Sequence, residues 1–258
     1  MYILNEWEDK NMEDFKNKIK DMTSAAVGPT LEIVSDVLFD GVASGIVPGV
    51  GNVILSYKQN RLERRVENTL QQLIERQEEL NNYIMGLTDE IAAQNVKSLY
   101  FEMLLDYAIN EPQDDKIKYF VNGYINVASI QNPQEDVVRT FYDTLAQMNL
   151  LDIRVFKLYI PDHHSDNALA IMEDYKIDLH QYNMIREKLV RLGIIYSVND
   201  EKRDENIDGI VKYLEDLNKA KRNAKLKTTH VSRSESYRLS SYGNRFIKFI
   251  MSENINNA

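Results

Sequence analysis

Residues 182–198 read YNMIREKLVRLGIIYSV, and residues 237–250 read YRLSSYGNRFIKFI. In the first stretch an amphipathic helical pattern runs into Gly193, a natural left-handed helix stop. IIYSV follows at once, β-branched and aromatic, and predicts a strand. The second stretch reverses the order: YRLSS reads as a return strand and YGNRFIKFIM as a terminal helix. Helix, strand, variable loop, strand, helix is the skeleton of a winged-helix half, in which one helix would lie in a groove with a wing hairpin behind it. The strand at about 193–198 is therefore expected to pair with that at about 236–241. The charged insertion at about 199–234 holds one helical stretch, IDGIVKYLEDLNKAK.

Working back from this half, DHHSDN (162–167) is a polar loop and LLDIRVFKLYI an apolar helix ending at Pro161. NPQEDVVRTFYDTLAQM opens with a capping pattern, Asn132 at the cap, Pro133 at the first helical position and Glu135 placed to reach back. DDKIKYFVNGYINVASI is a helix whose Gly123 suggests a close contact. A helix from 89 to about 110 starts behind Thr88 as N-cap and closes at Pro112. Before it, Leu55, Leu62, Val66, Leu70, Leu73, Leu80 and Ile84 keep a near-heptad rhythm, which predicts one long exposed helix with a single packing stripe, ending at Gly86. Leu31, Val34, Val37, Leu38 and Val42 mark the face of an earlier helix, and residues 4–22 form a short charged amphipathic one. The expected fold is mainly α: an N-terminal helical hairpin or bundle and a C-terminal winged-helix-like part carrying a small β-hairpin. The regions are 1–87, 88–161 and 162–258.

Composition narrows the chemistry. The 258 residues contain no cysteine, so disulfides, thiolate metal sites and a thiol nucleophile are excluded. The charged N-terminus lacks the pattern of a signal peptide, and the expected location is the cytoplasm, with peripheral membrane association as the alternative. The net charge of −9 opposes general nucleic-acid binding. The charge is uneven, however. Lys219, Lys221, Arg222, Lys225, Lys227, Arg233, Arg238, Arg245 and Lys248 face a single acid, Glu235, between 219 and 248. If the C-terminal part read DNA, the seven from Lys219 to Arg238 would contact phosphates from the wing. The preceding helix offers only Arg186, Lys188 and Arg191, with Glu187 among them, so a winged helix used for protein contacts is the preferred reading.

Residues 41–51, GVASGIVPGVG, place Gly41, Gly45 and Gly49 four apart, with Pro48 and Gly51 beside the last. This spacing lets helix backbones approach closely. A tight helical hairpin with a Pro-Gly corner is preferred; membrane association through residues 31–57 is the alternative, and Lys58, Arg61, Arg64 and Arg65 would then suit an anionic leaflet. No Lys-Ser/Thr follows the glycines, so a phosphate loop is not indicated. Asp162, His163, His164 and Asp166 lack a metal-binding spacing and read as a solvated loop. No catalytic motif appears, and no cofactor, metal or enzymatic activity is expected.

The run LLDYAINEPQDDKIKYFVNGYINVAS, the helix before LLDIRVFKLYI, then YNMIREKLVRLGII and YRLSSYGNRFIKFI together resemble the Abi-alpha family of bacterial proteins over roughly residues 90–252. The short signatures are Leu-Asp-Ile within 150–153, Leu-Gly-Ile at 192–194 and Tyr-x-Leu-Ser-x-x-Gly at 237–243. The resemblance implies abortive infection, the response in which a phage-infected cell arrests or dies, and supplies no catalytic residues. The expected function is that of a non-enzymatic phage-defence or prophage-associated interaction protein. It would act through a protein partner or self-association, and through the membrane as a further route. The alternative is a winged-helix DNA-binding regulator.

Overall fold

The computed structural model describes residues 2–39, 53–161, 166–219 and 224–251. The GVASGIVPGVG stretch, with Gly41, Gly45, Pro48, Gly49 and Gly51, lies outside the described residues, as do His163, His164, Lys221 and Arg222. The described chain is mainly helical with one two-stranded antiparallel sheet near its C-terminus. It forms two compact units, residues 1–150 with 248–258, and residues 151–247. The sequence reading had drawn its regions at 87/88 and 161/162.

The first unit begins with α1 (Tyr2–Ala25) and α2 (Pro29–Phe39). Their corner turns at Gly28, whose φ of 61° lies in the left-handed region that glycine enters without steric cost. Asn81 fastens this corner. Its Oδ1 accepts from the Thr30 amide and hydroxyl at 2.9 and 2.8 Å, and its Nδ2 donates to the Val27 carbonyl at 2.8 Å. Along α2 the buried residues are Thr30, Ile33 and Val34, while Leu31 is partly exposed. Val34 is buried as expected and Leu31 is not, since Asn81 draws the neighbouring Thr30 hydroxyl inward; the side chains of Val37, Leu38 and Val42 lie outside the described residues.

The long helix expected from Asn52 to Ile84 is two: α3 (Val53–Glu75) and α4 (Gln77–Met85), broken at Arg76. Val66, Leu70, Leu73, Leu80 and Ile84 are buried as expected. The rest of the expectation is corrected. Far from being an exposed helix with one stripe, α3 packs on α1, α6 (Phe101–Asn110) and α7 (Ile117–Ala128), and also buries Glu63, Arg65 and Thr69. Arg65 donates to the Ile109 carbonyl at 2.6 Å and, with Arg64, pairs with Asp114; Arg61 donates to the Pro112 carbonyl. Three of the four cations that would suit a leaflet hold the 109–114 turn instead.

Helix α5 (Glu90–Asn95) is capped by Asp89, which accepts from the Ile91 amide; the sequence had pointed to Thr88, whose hydroxyl is bound to Gln131. A single π turn at Val96–Tyr100 joins it to α6. The Tyr124 hydroxyl donates to the Val96 carbonyl at 3.0 Å, one reason the regular ladder can yield there. The next cap is also corrected. Helix α8 (Glu135–Gln147) starts two residues later than expected, behind Gln134, with no side-chain cap. The Pro133 carbonyl accepts from the Tyr100 hydroxyl instead. Tyr107, Phe120 and Tyr142 stack on one another, with Phe249 edge-on to Tyr142. Gly123 makes the expected close contact: a Cβ there would stand 2.7 Å from Phe249 Cε1. Lys116 and Glu111 form a fully buried ion pair at 2.6 Å.

The second unit contains most of α9 (Leu150–Lys157), then α10 (Ala168–Tyr175) and α11 (Leu179–Arg191). The three-residue turn between the last two begins with Lys176 at φ 53° and ends in a capping box formed by Asp178 and Gln181. Gly193, φ 71°, ends the following turn as expected. Strand β1 (Ile195–Ser197) pairs antiparallel with β2 (Tyr237–Leu239), Tyr196 opposite Arg238, which is the expected hairpin. The intervening helix is longer than expected. Helix α12 (Val198–Asn218) begins straight from β1, because Ser197 caps it by accepting from the Asp200 amide and Asp200 and Glu201 suit its positive end. Helix α13 (Ser241–Ile250) follows β2.

Candidate interaction surface

Two of the three short signatures, Leu-Gly-Ile and Tyr-x-Leu-Ser-x-x-Gly, meet in one joint. The Ser240 amide donates to the Ile194 carbonyl at 3.0 Å, and the Ser240 hydroxyl donates to the Gly193 carbonyl while accepting from the Gly243 amide at 2.8 Å. A Cβ on Gly243 would stand well inside 3.0 Å of the Ile194 oxygen. Leu-Gly-Ile and Tyr-x-Leu-Ser-x-x-Gly therefore lock the end of α11 to the start of α13, and their polar atoms are consumed in doing so.

The face of α11 beyond this joint is poor in free cations. Lys188 pairs with Asp152, whose carboxylate is buried on α9. Arg186 lies 4.7 Å from the Tyr237 ring centroid and 5.3 Å from that of Tyr182, and bonds Asn183. Burial pushes the Tyr159, Tyr182 and Tyr237 hydroxyls above the usual phenol range, and the Arg186 guanidinium opposes that shift in each. What α11 leaves outward is mixed: Leu179 is 62% exposed and Met184 55%, and His180, Gln181, Glu187 and Arg191 are exposed beside them. Leu169 on α10 is 74% exposed.

Among the described residues, the basic side chains named from the sequence are spread over the end of α12, the segment after it and β2. Arg238 sits in β2 and Arg233 in the exposed segment before it. The segment carrying Lys225 and Lys227 runs back along α12, with Asn206 and Thr229 bonded to each other and the Lys227 carbonyl against Gly209. At about 1.5 Å per residue, Gly209 lies roughly 17 Å along α12 from Val198. Lys219, at the far end, pairs loosely with Glu215 at 3.7 Å. Asp200, Glu201, Asp204, Glu205 and Asp208 are interspersed along the same helix. The second unit as a whole carries 17 basic and 15 acidic residues.

Sequence reasoning missed a further feature. On α12, Ile207, Ile210, Val211, Leu214 and Leu217 are each 44–58% exposed and recur at helical spacing. The signal was present in IDGIVKYLEDL, but it was read only as a helix inside a charged insertion.

Among the described residues no helix is long and apolar enough to cross a membrane, and no group of three His, Asp or Glu side chains could hold a metal. Comparison with protein-family models, curated proteins and solved structures finds no match to this chain.

Proposed function

We propose that the chain is a non-enzymatic interaction protein that works by binding protein, in the abortive-infection or prophage-associated setting implied by its short signatures. The second unit is read as a winged helix, with α10 and α11 as the helix-turn-helix and β1–β2 as the wing base, adapted to protein contact. The observation that carries this is the outward face of α11. Of its three cations Arg186 and Lys188 are engaged by neighbouring side chains and Arg191 alone is exposed, while Leu179 and Met184 stand in solvent. A groove-reading helix needs the opposite allocation, cations outward and aliphatics inward.

A DNA-binding regulator is the second reading. Lys225, Lys227, Arg233 and Arg238 favour it, since they have no ion-pair partner among the described residues. Both readings meet one experiment in cells and one in solution. Leu179→Glu with Met184→Glu should abolish protection in a phage plating assay while the purified protein stays folded. Charge reversal at the four cations should leave protection intact. Fluorescence anisotropy with duplex DNA at about 50 mM salt should show no binding by either protein. Salt-sensitive DNA binding lost on reversal would overturn the protein-contact reading in favour of the regulator. Salt and carbonate washes of cell membranes test the membrane route separately.

A further inference from the structure

Strand β2 has an open edge. The Val198 amide donates to the Ser236 carbonyl at 2.9 Å, and the Ser240 amide to the Ile194 carbonyl at 3.0 Å. With Tyr196 opposite Arg238, these bonds turn the backbone groups of Ser236, Arg238 and Ser240 toward β1. By the alternation of an antiparallel pair, Tyr237 and Leu239 turn their N–H and C=O groups the other way. Among the described residues no donor or acceptor meets those four groups. The two strands differ in setting. Ile195 and Ser197 of β1 are buried beside α11, whereas Tyr237 and Leu239 are part-buried and Arg238 is exposed. Beyond its shortness and one cation, the edge carries none of the usual guards: the register runs one residue to one without a bulge, and no proline follows Pro161.

We infer that β2 takes up an extended segment of a partner protein as a third strand, antiparallel, with an acidic residue between two apolar ones. The unpaired groups ask for a strand, because a helix has already paired its own backbone. An antiparallel neighbour makes both bonds to Tyr237 with one facing residue and both bonds to Leu239 with another, and it is the more stable pairing per residue. The residue between those two faces Arg238 in the position without hydrogen bonds, where opposed side chains stand closest. Arg238 is exposed and has no ion-pair partner among the described residues, so a carboxylate is selected there and an ammonium rejected. The two flanking residues lie on the face of Tyr237 and Leu239. The Tyr237 ring holds the Arg186 guanidinium 4.7 Å from its centroid, and Leu239 packs beside Gly243. That face is fixed and largely apolar, which suits β-branched side chains.

This site is separate from the α11 face on which protection is expected to depend, so it is read in solution rather than by plating. The probe is the capped peptide Thr-Val-Glu-Val-Thr, added to the isotope-labelled full-length chain and followed by amide NMR. The Tyr237 and Leu239 amides should shift on titration to about 2 mM peptide. A peptide with lysine in place of glutamate should bind at least about ten-fold more weakly, and Arg238→Glu should reverse that order. N-methylation of both peptide valines removes the N–H groups that meet Tyr237 and Leu239 and should abolish the shifts. N-methylation of the peptide glutamate, whose N–H faces away, should leave them. No shift at Tyr237 and Leu239 overturns the inference. Equal binding of the two N-methylated peptides overturns strand addition, and equal binding of the lysine peptide overturns the acidic preference. Leu179→Glu with Met184→Glu should bind the peptide as wild type does; loss of binding in that folded variant would place the peptide on α11 and overturn the β2 site.

Discussion

Replacing Gly243 with alanine tests the joint that joins both strands to their helices. Two effects oppose each other. Gly243 is the third residue of α13, and alanine in a helix is favoured over glycine by about 0.8–1 kcal/mol. Against this, the new methyl group would meet the Ile194 carbonyl oxygen, with the Leu239 side chain 3.3 Å away. The obstacle is backbone, so it cannot rotate aside as a side-chain tip would; the oxygen must retreat by about an ångström, and overpacking of this kind costs roughly 1–3 kcal/mol. The retreat also strains the bond from the Ser240 amide to that same oxygen, worth about 0.5–1.5 kcal/mol. Sterics win: the variant should be less stable by roughly 1–3 kcal/mol after the propensity gain is subtracted.

The local readout is amide hydrogen exchange. The amides to follow are Ser240, bonded to Ile194, and Val198, bonded to Ser236, which bracket the strand pair. Both should exchange at least about five-fold faster in Gly243→Ala. Amides of α3 and α7 in the first unit should be unchanged. Ser240→Ala is the companion variant. It removes the hydroxyl that serves Gly193 and Gly243 without pushing the Ile194 oxygen, and should cost about 1 kcal/mol. A Gly243→Ala protein more stable than wild type by about 1 kcal/mol would mean that propensity alone acts there, and the close-approach reasoning would be wrong.

Two further outcomes concern the first unit. Lys116→Met strands the Glu111 carboxylate in the core and should destabilise by about 3–5 kcal/mol in urea unfolding, with most of the loss recovered by adding Glu111→Gln; a single variant as stable as wild type would remove the pair from the core's support. Burial and a hydrogen bond to Asp143 push the Tyr107 hydroxyl up to about 12; burial alone raises Tyr124, and burial with the neighbouring Tyr124 and Tyr107 raises Tyr142. These raised values favour the folded state fully below the ordinary phenol value near 10, and that support is lost as pH climbs from there through about 12. Absorbance at 295 nm should rise in step with loss of helical circular dichroism over that window; all 15 tyrosines ionising near pH 10 with the helices intact would contradict it.

The legibility of this fold in its sequence follows the range of the interactions involved. Gly193, the β-branched run after it and the return strand are local signals, and they placed the hairpin in its register. Val66, Leu70 and Leu73 gave the core edge of α3 because period and burial agree. The errors arose where a distant side chain outbid a local preference. Asn132 and Glu135 form a good local cap, but the Tyr100 hydroxyl holds Pro133 outside the helix. Leu31 belongs by hydrophobicity on the buried face, but Asn81, 51 residues from Thr30, turns that residue inward. Arg65 looked like surface charge, and only the fold brings Asp114 and the Ile109 carbonyl to it. The Asp178–Gln181 box is a local signal as well and lies just ahead of Tyr182, where the amphipathic pattern is picked up.

The joint also explains why its signatures describe architecture better than activity. Ser240, Gly243 and Gly193 are used up in mutual contact, and the Ile194 carbonyl is enclosed by them. Between the strands lie 39 residues, 198–236, and α12 takes most of that length. The outward surface of this unit therefore lies outside the joint. Among the described residues of this second unit, the aliphatic side chains that stand in solvent are Leu169 on α10, Leu179 and Met184 on α11, and Ile207 to Leu217 with Leu226 in the insertion.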